Sequence, residues 1–126
     1  MERQHMVTQS EWQIMEVLWD EAKTLMELVS VLSERVGWSK STVTTMIRRM
    51  EEKGLIAHEV QGRAKLFRAG VSREDVVARE TDSLINRAYR GSIGMLVSAM
   101  AQRKNLTQAD IDELYAILKE AEEKVK

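Results

Sequence analysis

The residues of this chain with the most chemistry at close spacing lie in one segment, WSKSTVTTMIRRMEEKGLI, which spans Trp38 to Ile56. It begins with five hydroxyl side chains, those of Ser39, Ser41, Thr42, Thr44 and Thr45. Serine and threonine form helices poorly, because their side chains compete for backbone hydrogen bonds and β-branching restricts χ1. On a helix that meets DNA, short hydroxyls let the backbone approach closely and can bind phosphates or base edges. The segment therefore predicts a helix that contacts a duplex, ending near Gly54 at a left-handed cap.

The charge distribution favours the same interpretation. The chain has 126 residues and a net charge of −1, but residues 38–73 carry eight basic side chains against three acidic ones, a net charge of +5. Both flanking parts are acidic, at −4 for residues 1–37 and −2 for residues 74–126. A basic patch in one part of a chain is typical of nucleic-acid binding, and chance clustering on a solvated face is the alternative.

Three short helices followed by a hairpin are predicted in residues 1–71. The first two helices open at capping boxes, Thr8 to Glu11 and Thr24 to Glu27, and the second ends at Gly37. The predicted inward residues are Trp12, Ile14, Met15, Leu18 and Trp19, then Leu25, Leu28, Val29, Leu32 and Val36, then Val43, Met46, Ile47 and Met50. Residues 55–60 and 64–69 fit strands of period two around a tight turn at Gln61 to Arg63. This order predicts a mainly α fold, a winged helix-turn-helix of three helices and a β-hairpin wing.

Residues 72–126 are predicted to form a helical dimerisation extension. Ser72 caps a helix that runs to about Tyr89, Gly91 to Gly94 interrupt it, and Thr107 caps the last helix. Three thin apolar stripes do not close a core within one protomer, so we expect them to close one with a second copy. Packing back on the winged helix is the alternative. The expected dimerisation residues are Leu84, Ile93, Leu96, Val97, Met100, Ile111, Leu114 and Leu118.

The third helix of such a fold lies in the major groove, with its N-terminal residues at the base edges. Because the apolar stripe of this helix faces inward, its remaining residues form the exposed arc, with Thr42 at the margin of that arc. The predicted DNA-binding residues are Lys40, Ser41, Thr42, Thr44, Thr45, Arg48 and Arg49 on this helix, and Arg63 and Lys65 on the wing. Lys53 complements the helix dipole and is predicted to be structural, while its position keeps it among the basic residues near the DNA.

Three stretches of the sequence resemble the BlaI/MecI penicillinase repressors and the related CopY-type copper repressors: TQSEWQIMEVLW, LSERVGWSKSTVTTMIRRMEEKGLI and EVQGRAKLFRAGVSRED. The likeness continues to LTQADIDELYAILKE near the end and covers nearly the whole chain. It implies a homodimeric winged-helix repressor that binds a palindromic operator in double-stranded DNA and dimerises through its C-terminal helices. By position, Ser41, Thr42, Thr44, Thr45 and Arg49 match family residues that meet DNA.

Two departures from the resemblance concern the inducing signal. CopY-type repressors bind metal through a C-terminal cysteine cluster, and this chain has no cysteine, so copper sensing by that chemistry is excluded. Penicillinase repressors are inactivated by a protease that cuts between Asn and Phe in the dimerisation helices. That pair falls on Ala99 and Met100 here. An inactivating protease is a possible partner, and the inducing signal, the operator and the regulated genes stay open.

Other functional classes have little support in the sequence. Neither His5 nor His58 has a partner at catalytic or metal spacing, so an enzyme is not expected and no metal or cofactor is predicted. No apolar run approaches the roughly 20 residues of a membrane span, and the absence of cysteine suits a cytoplasmic protein. Two alternatives remain: a MarR-like DNA-binding regulator that responds to a small ligand, and a winged-helix module that binds protein.

Overall fold

The computed structural model describes residues 7–103 and 105–125. The elements in chain order are α1 (Gln9–Asp20), β1 (Lys23–Thr24), α2 (Leu25–Val36), α3 (Lys40–Glu52), β2 (Ile56–Gln61), β3 (Ala64–Ala69), α4 (Arg73–Ala88), α5 (Ile93–Arg103) and α6 (Gln108–Val125). Three helices followed by a hairpin confirm the mainly α, winged helix-turn-helix fold.

Both predicted capping boxes are present. At the start of α1 the Thr8 hydroxyl accepts from the Glu11 amide at 3.1 Å, and the Glu11 carboxylate accepts from the Thr8 amide at 2.9 Å. Thr24 and Glu27 make the same pair at the start of α2, at 3.3 and 2.8 Å. Hydrogen bonds from Thr24, chiefly from its backbone amide, lower the pKa of the Glu27 carboxyl from its usual 4.5. These bonds satisfy amides that a helix start leaves unpaired and so set where α1 and α2 begin.

The core of the winged helix lies where α1, α2 and α3 meet the hairpin. Its most deeply buried side chains are Ile14, Met15, Leu28, Leu32, Val43 and Met50. Two details of the predicted stripes are wrong. Val17 is buried although the helical pattern left it out, and Val36, predicted to face inward, is 38% exposed at the last turn of α2. Gly37 then ends α2 with φ 72°, a conformation in which a side chain would be strained.

The hairpin belongs to a three-stranded antiparallel sheet of order β1-β3-β2. Strands β2 and β3 pair from Ile56 with Ala69 to Gln61 with Ala64, so Gly62 and Arg63 form a two-residue turn. Gly62 has φ 62°, as such a turn requires. Strand β1, two residues between α1 and α2, pairs with Leu66 and Phe67 of β3 and was not predicted. It joins the first half of the winged helix to the wing.

The chain separates into two compact units, of which the first ends at Asp82 and the second begins at Ser83. The first turns of α4 belong to the winged-helix unit, because Val76 is buried in its core. Just before α4, the Val71 carbonyl accepts a hydrogen bond of 2.9 Å from the indole Nε1 of Trp19. Arg73 pairs with Glu16 of α1 at 3.2 Å and stacks its guanidinium 5.9 Å from the Trp19 ring centre. The division at residue 82 therefore lies within α4, about ten residues beyond the functional boundary predicted at residues 71 and 72.

The second unit contains the end of α4, α5 and α6. The predicted break after α4 is confirmed by left-handed residues at Arg90 (φ 50°) and Gly91 (φ 83°). Thr107 caps α6 as predicted, with its hydroxyl accepting from the Asp110 amide at 3.1 Å. Neither α5 nor α6 has a fully buried residue among those the structure describes. No described helix is long and apolar enough to cross a membrane.

Candidate nucleic-acid interface

Helix α3 is held by one face. Val43, Ile47 and Met50 are buried, and Met46 is half-buried beside them. Residues follow one another at about 100° around a helix axis, so this stripe turns the opposite arc to solvent. The arc carries six of the seven predicted residues of this helix as exposed side chains: Lys40, Ser41, Thr42, Thr44, Arg48 and Arg49.

Two positions in the arc differ from the expected pattern. Thr45, predicted to be exposed, is half-buried, and Thr42, predicted at the margin, is exposed. Thr44 and Arg48, one turn apart on the wing side, are both exposed. The surface available to a ligand is thus centred on Ser41, Thr44 and Arg48 instead of on Thr45.

The hydroxyl groups of α3 serve the helix itself as well as its surface. Ser39 is the N-cap, accepting from the Thr42 amide at 3.2 Å and lying 3.1 Å from the Thr42 hydroxyl. The Thr44 hydroxyl donates to the Lys40 carbonyl at 2.8 Å. These bonds offset part of the poor helix propensity of serine and threonine. Because the Thr44 hydroxyl is bonded within the helix, the methyl group of Thr44 is the part of its side chain best suited to an external contact.

The wing brings two more cations to the same side. Arg63 is the second residue of the hairpin turn, and Lys65 is the second residue of β3. Both side chains are exposed. Both line one groove with Thr44 and Arg48 of α3. The wing-side half of the exposed arc of α3 and the wing therefore line one groove, an arrangement compatible with a helix in the major groove and a wing beside it.

Arg49 lies on the other flank of α3. It lines a pocket with Thr8, Ser10 and Glu11, at the start of α1, and with Lys53, which pairs with Glu11. A backbone phosphate at this flank would meet Arg49 and the first turn of α1, whereas one at the wing flank would meet Arg48, Arg63 and Lys65. The sequence pattern did not indicate that α1 contributes to this side.

Lys53 makes an ion pair within the winged-helix unit, which supports the prediction that it is structural. Its ammonium group lies 2.7 Å from the carboxylate of Glu11, whose side chain is only 7% exposed. Glu11 also closes the capping box of α1, so one buried carboxylate holds the start of α1 to the end of α3. The sequence showed Glu11 as a cap but did not reveal this second partner, because the two residues are 42 positions apart.

The remaining cations of the candidate interface form no ion pair within the part of the chain that the structure describes. Across residues 7–103 and 105–125, ion pairs join Lys23 to Glu21, Lys53 to Glu11 and Arg73 to Glu16, and the His58 ring contacts the Glu51 carboxylate. None involves Lys40, Arg48, Arg49, Arg63 or Lys65. Five unpaired charges on one face attract a polyanion, and binding releases its condensed counterions.

His58 lies in strand β2 of the wing and is only partly exposed. Its register opposite Phe67 turns the ring to the inner face of β2, 5.6 Å from the Phe67 ring centre, and the residue is half-buried. Its Nδ1 pairs with the Glu51 carboxylate. His5 lies outside the described residues. Within them no cluster of three metal-ligating side chains occurs.

The expected dimerisation residues lie in the second unit. Ile93, Val97, Met100 and Leu118 are 41 to 64% exposed, and Leu84 is 39% exposed. The other three, Leu96, Ile111 and Leu114, are half-buried. Helices α5 and α6 enclose an apolar cleft of 370 Å³ lined by Ile93, Val97, Ile111, Leu114, Tyr115, Ile117 and Leu118.

Comparison with known proteins connects this geometry to a family. The family model described as penicillinase repressor matches residues 7–120. The chain belongs to the penicillinase repressor family. This family consists of transcriptional repressors, which are not enzymes, and the predicted resemblance and the exclusion of an enzyme are thereby confirmed.

Individual members of the penicillinase repressor family align with this chain over nearly their whole length. The chain is 28% identical to the penicillinase repressor of Bacillus licheniformis over 121 residues, which covers 95% of this chain and 94% of the relative. It is 25% identical to the methicillin resistance regulatory protein MecI of Staphylococcus aureus strain N315, over 89% of this chain and 92% of MecI. Among solved structures, the DNA-binding domain of the repressor BlaI matches 60% of this chain and 93% of that domain, with 26% identity and a TM-score of 0.53.

The pair formed by buried Glu11 and half-buried Lys53 leads to a prediction about stability. Lys53→Met leaves the Glu11 carboxylate buried without its cation, and we expect the free energy of unfolding to fall by about 1–3 kcal/mol. The double variant Glu11→Gln/Lys53→Met should recover part of that loss, since the unpaired charge is gone. Urea unfolding at pH 7 measures both. The matched control is Lys65→Met, an exposed change expected to stay within about 0.5 kcal/mol of the wild type. A stable Lys53→Met variant that binds DNA with fewer released ions would instead make Lys53 a phosphate ligand.

Proposed function

We propose that this chain is a homodimeric transcriptional repressor that binds a palindromic operator, with residues 1–71 reading DNA and residues 72–126 holding the dimer. The observation that carries the proposal is the face shared by α3 and the wing. There, Thr44 and Arg48 meet Arg63 and Lys65 in one groove, and none of the cations has an acidic partner among the described residues.

The assignment of roles follows from position on this face. Ser41 and Thr44, near the start of α3, are the candidates for base edges, because the N-terminal part of a recognition helix enters deepest into the major groove. Lys40, Thr42 and the half-buried Thr45 flank them. Arg48, Arg49, Arg63 and Lys65 lie further out and suit phosphates, although Arg48 has the length to reach a guanine.

Dimerisation is supported by the unsatisfied apolar surface of the second unit. Side chains of α5 and α6 such as Ile93, Met100, Ile117 and Leu118 are each more than half exposed. A monomer rarely leaves so many large apolar groups of neighbouring helices in water, and burial by a second copy would remove them. Two-fold symmetry then requires two half-sites, spaced by about 10 bp or a multiple of it.

An inactivating protease remains part of this proposal. The peptide bond between Ala99 and Met100 lies within α5, between residues proposed to dimerise. Helical backbone must unfold locally to enter a protease site, so cutting here would require opening α5 and would remove α6 from the DNA-binding unit. A repressor that loses its dimer contacts loses the second half-site with them.

The dependence of DNA binding on salt tests the interface as a whole. Five unpaired cations per protomer allow about 6–10 phosphate contacts in a dimer, and log affinity should fall with log salt at a slope between about −5 and −9. Fluorescence anisotropy with a labelled operator between 50 and 300 mM salt measures it. A flat response, or no binding to any duplex at low salt, would favour a winged-helix module that binds protein.

Substitutions on the helix and the wing should have different effects. Arg63→Ala should weaken binding to all duplexes about equally and make the salt slope shallower by about two per dimer, since it removes a phosphate contact from each protomer. Thr44→Ser, which removes only the methyl, should change preference between operator variants by about 1 kcal/mol, whereas Thr44→Val should retain the wild-type preference. Competition binding with a set of single-base operator variants measures these effects. The opposite assignment of uniform and base-dependent losses would mean that the wing reads the bases.

One substitution in α6 tests the dimer. Leu118 is 64% exposed, so Leu118→Glu removes little packing within the protomer but places a charge in the proposed interface. Sedimentation equilibrium should then show monomers, and operator affinity should fall at least tenfold because the two half-sites no longer act together. Lys119→Glu, an exposed neighbour on another face of α6, is the matched control and should stay dimeric. A dimeric Leu118→Glu variant would exclude this face as the interface.

A further inference from the structure

The groove between α3 and the wing is larger and more apolar than phosphate binding requires. It encloses 660 Å³ between the start of α2, the wing side of α3 and strand β3. Its apolar lining includes Leu25, Met26, Ile47 and Phe67. Met26 is 60% exposed and Phe67 only 5%, so one forms the rim and the other the floor. Pockets of about 300–1,000 Å³ with apolar walls and a few placed polar groups are typical of small-ligand sites.

The charged groups of this groove are predominantly cationic. Arg48, Arg63 and Lys65 line it and have no acidic partner among the described residues. The carboxylate that also lines it, Glu51, is paired with the His58 ring. An apolar floor under three unpaired cations is complementary to a molecule that has a flat apolar body and one negative group.

We propose that this groove binds a small organic anion with a ring-sized apolar body, such as an aromatic carboxylate, and that the anion and DNA exclude each other. The proposal rests on the function proposed above, because the three cations that would hold the anion are those assigned to phosphates. The ring packs on Ile47 and Phe67 under Met26, while the anionic group lies at Arg48, Arg63 and Lys65. DNA backbone can neutralise the same cations, but its phosphates gain nothing from the apolar floor.

Such a site gives this repressor an inducing signal that does not depend on proteolysis. The chain has Ala99 and Met100 where the Asn-Phe cleavage pair is expected, and a ligand that competes with DNA would release the operator without cutting α5. Each dimer has two grooves and DNA would cover both. The apparent operator affinity should therefore fall with the square of ligand concentration once the grooves are mostly occupied.

Direct binding without DNA tests the site independently of the proposed function. The probe is 2-naphthoate, with the neutral 2-naphthamide as its control, measured on the full chain by calorimetry and by NMR of ¹³C-labelled methionine methyls. We expect saturable binding of 2-naphthoate, at least fivefold weaker binding of 2-naphthamide, and a shift of the Met26 methyl signal but not of the Met46 signal. Met26→Gln, at an exposed position outside the DNA-contact set, should weaken 2-naphthoate about tenfold. The matched control Ser30→Gln, on an exposed face of the same helix, should leave it unchanged.

A second measurement links the site to DNA. Adding 2-naphthoate should weaken operator binding by wild type with a limiting slope of two on a log-log plot, and Met26→Gln should require about tenfold more ligand for the same effect. Absence of saturable binding, equal affinity for the amide, or an unchanged Met26→Gln variant would overturn the site. Binding at Met26 with no effect on a functional operator complex would overturn the mutual exclusion. If the chain binds no duplex, the proposed function fails, while the calorimetry still decides the site.

Discussion

The burial of a single face of α3 determines what the rest of this molecule can do. Val43, Ile47 and Met50 lie in the core against α1, α2 and the hairpin, so the helix cannot rotate about its axis without exposing them. Burying three such side chains contributes several kcal/mol, which exceeds the small preferences of the surface residues. The direction of every exposed position of the helix is thereby set, and hydroxyls and arginines can occupy the outer arc because the core does not depend on them.

Polar contacts then fix where α3 begins and ends. Ser39 caps its start, and the Lys53–Glu11 pair ties its end to the start of α1. A buried ion pair adds little net stability, since desolvation offsets much of the attraction, but it strongly penalises arrangements that separate the charges. It therefore suits a helix whose position relative to a ligand must be reproducible. The wing is positioned in a similar way, because β3 pairs with β1 at the junction of α1 and α2 as well as with β2.

The two units place different demands on their apolar residues. In the winged-helix unit the stripes of α1, α2 and α3 converge on one core, and apart from Val36 their residues are buried or partly buried. In α5 and α6 the stripes have the same periodicity, yet large side chains such as Leu118 stay in water. Periodicity alone does not distinguish these cases, because it shows which face of a helix is apolar and not what covers it. The same periodicity hence accompanies a covered core in one half of the chain and exposed apolar side chains in the other, which we propose a second copy covers.

Local signals in the sequence were sufficient for much of this fold. Some features depend only on residues within four positions of one another, so a short stretch of sequence predicts them. They are the capping boxes at Thr8 and Thr24, the glycine at the end of α2 and the turn at Gly62. The inward stripe of α3 follows from helical spacing for the same reason, and with it the exposed arc of that helix. The tertiary structure alone decided the features that join distant residues: strand β1, the pairing of Glu11 with Lys53, the partial burial of Thr45, the inward turn of His58, and the apolar groove between α3 and the wing. These features depend on how α1, α2, α3 and the hairpin pack together in space. The sequence around a residue does not identify a contact partner that lies tens of positions away.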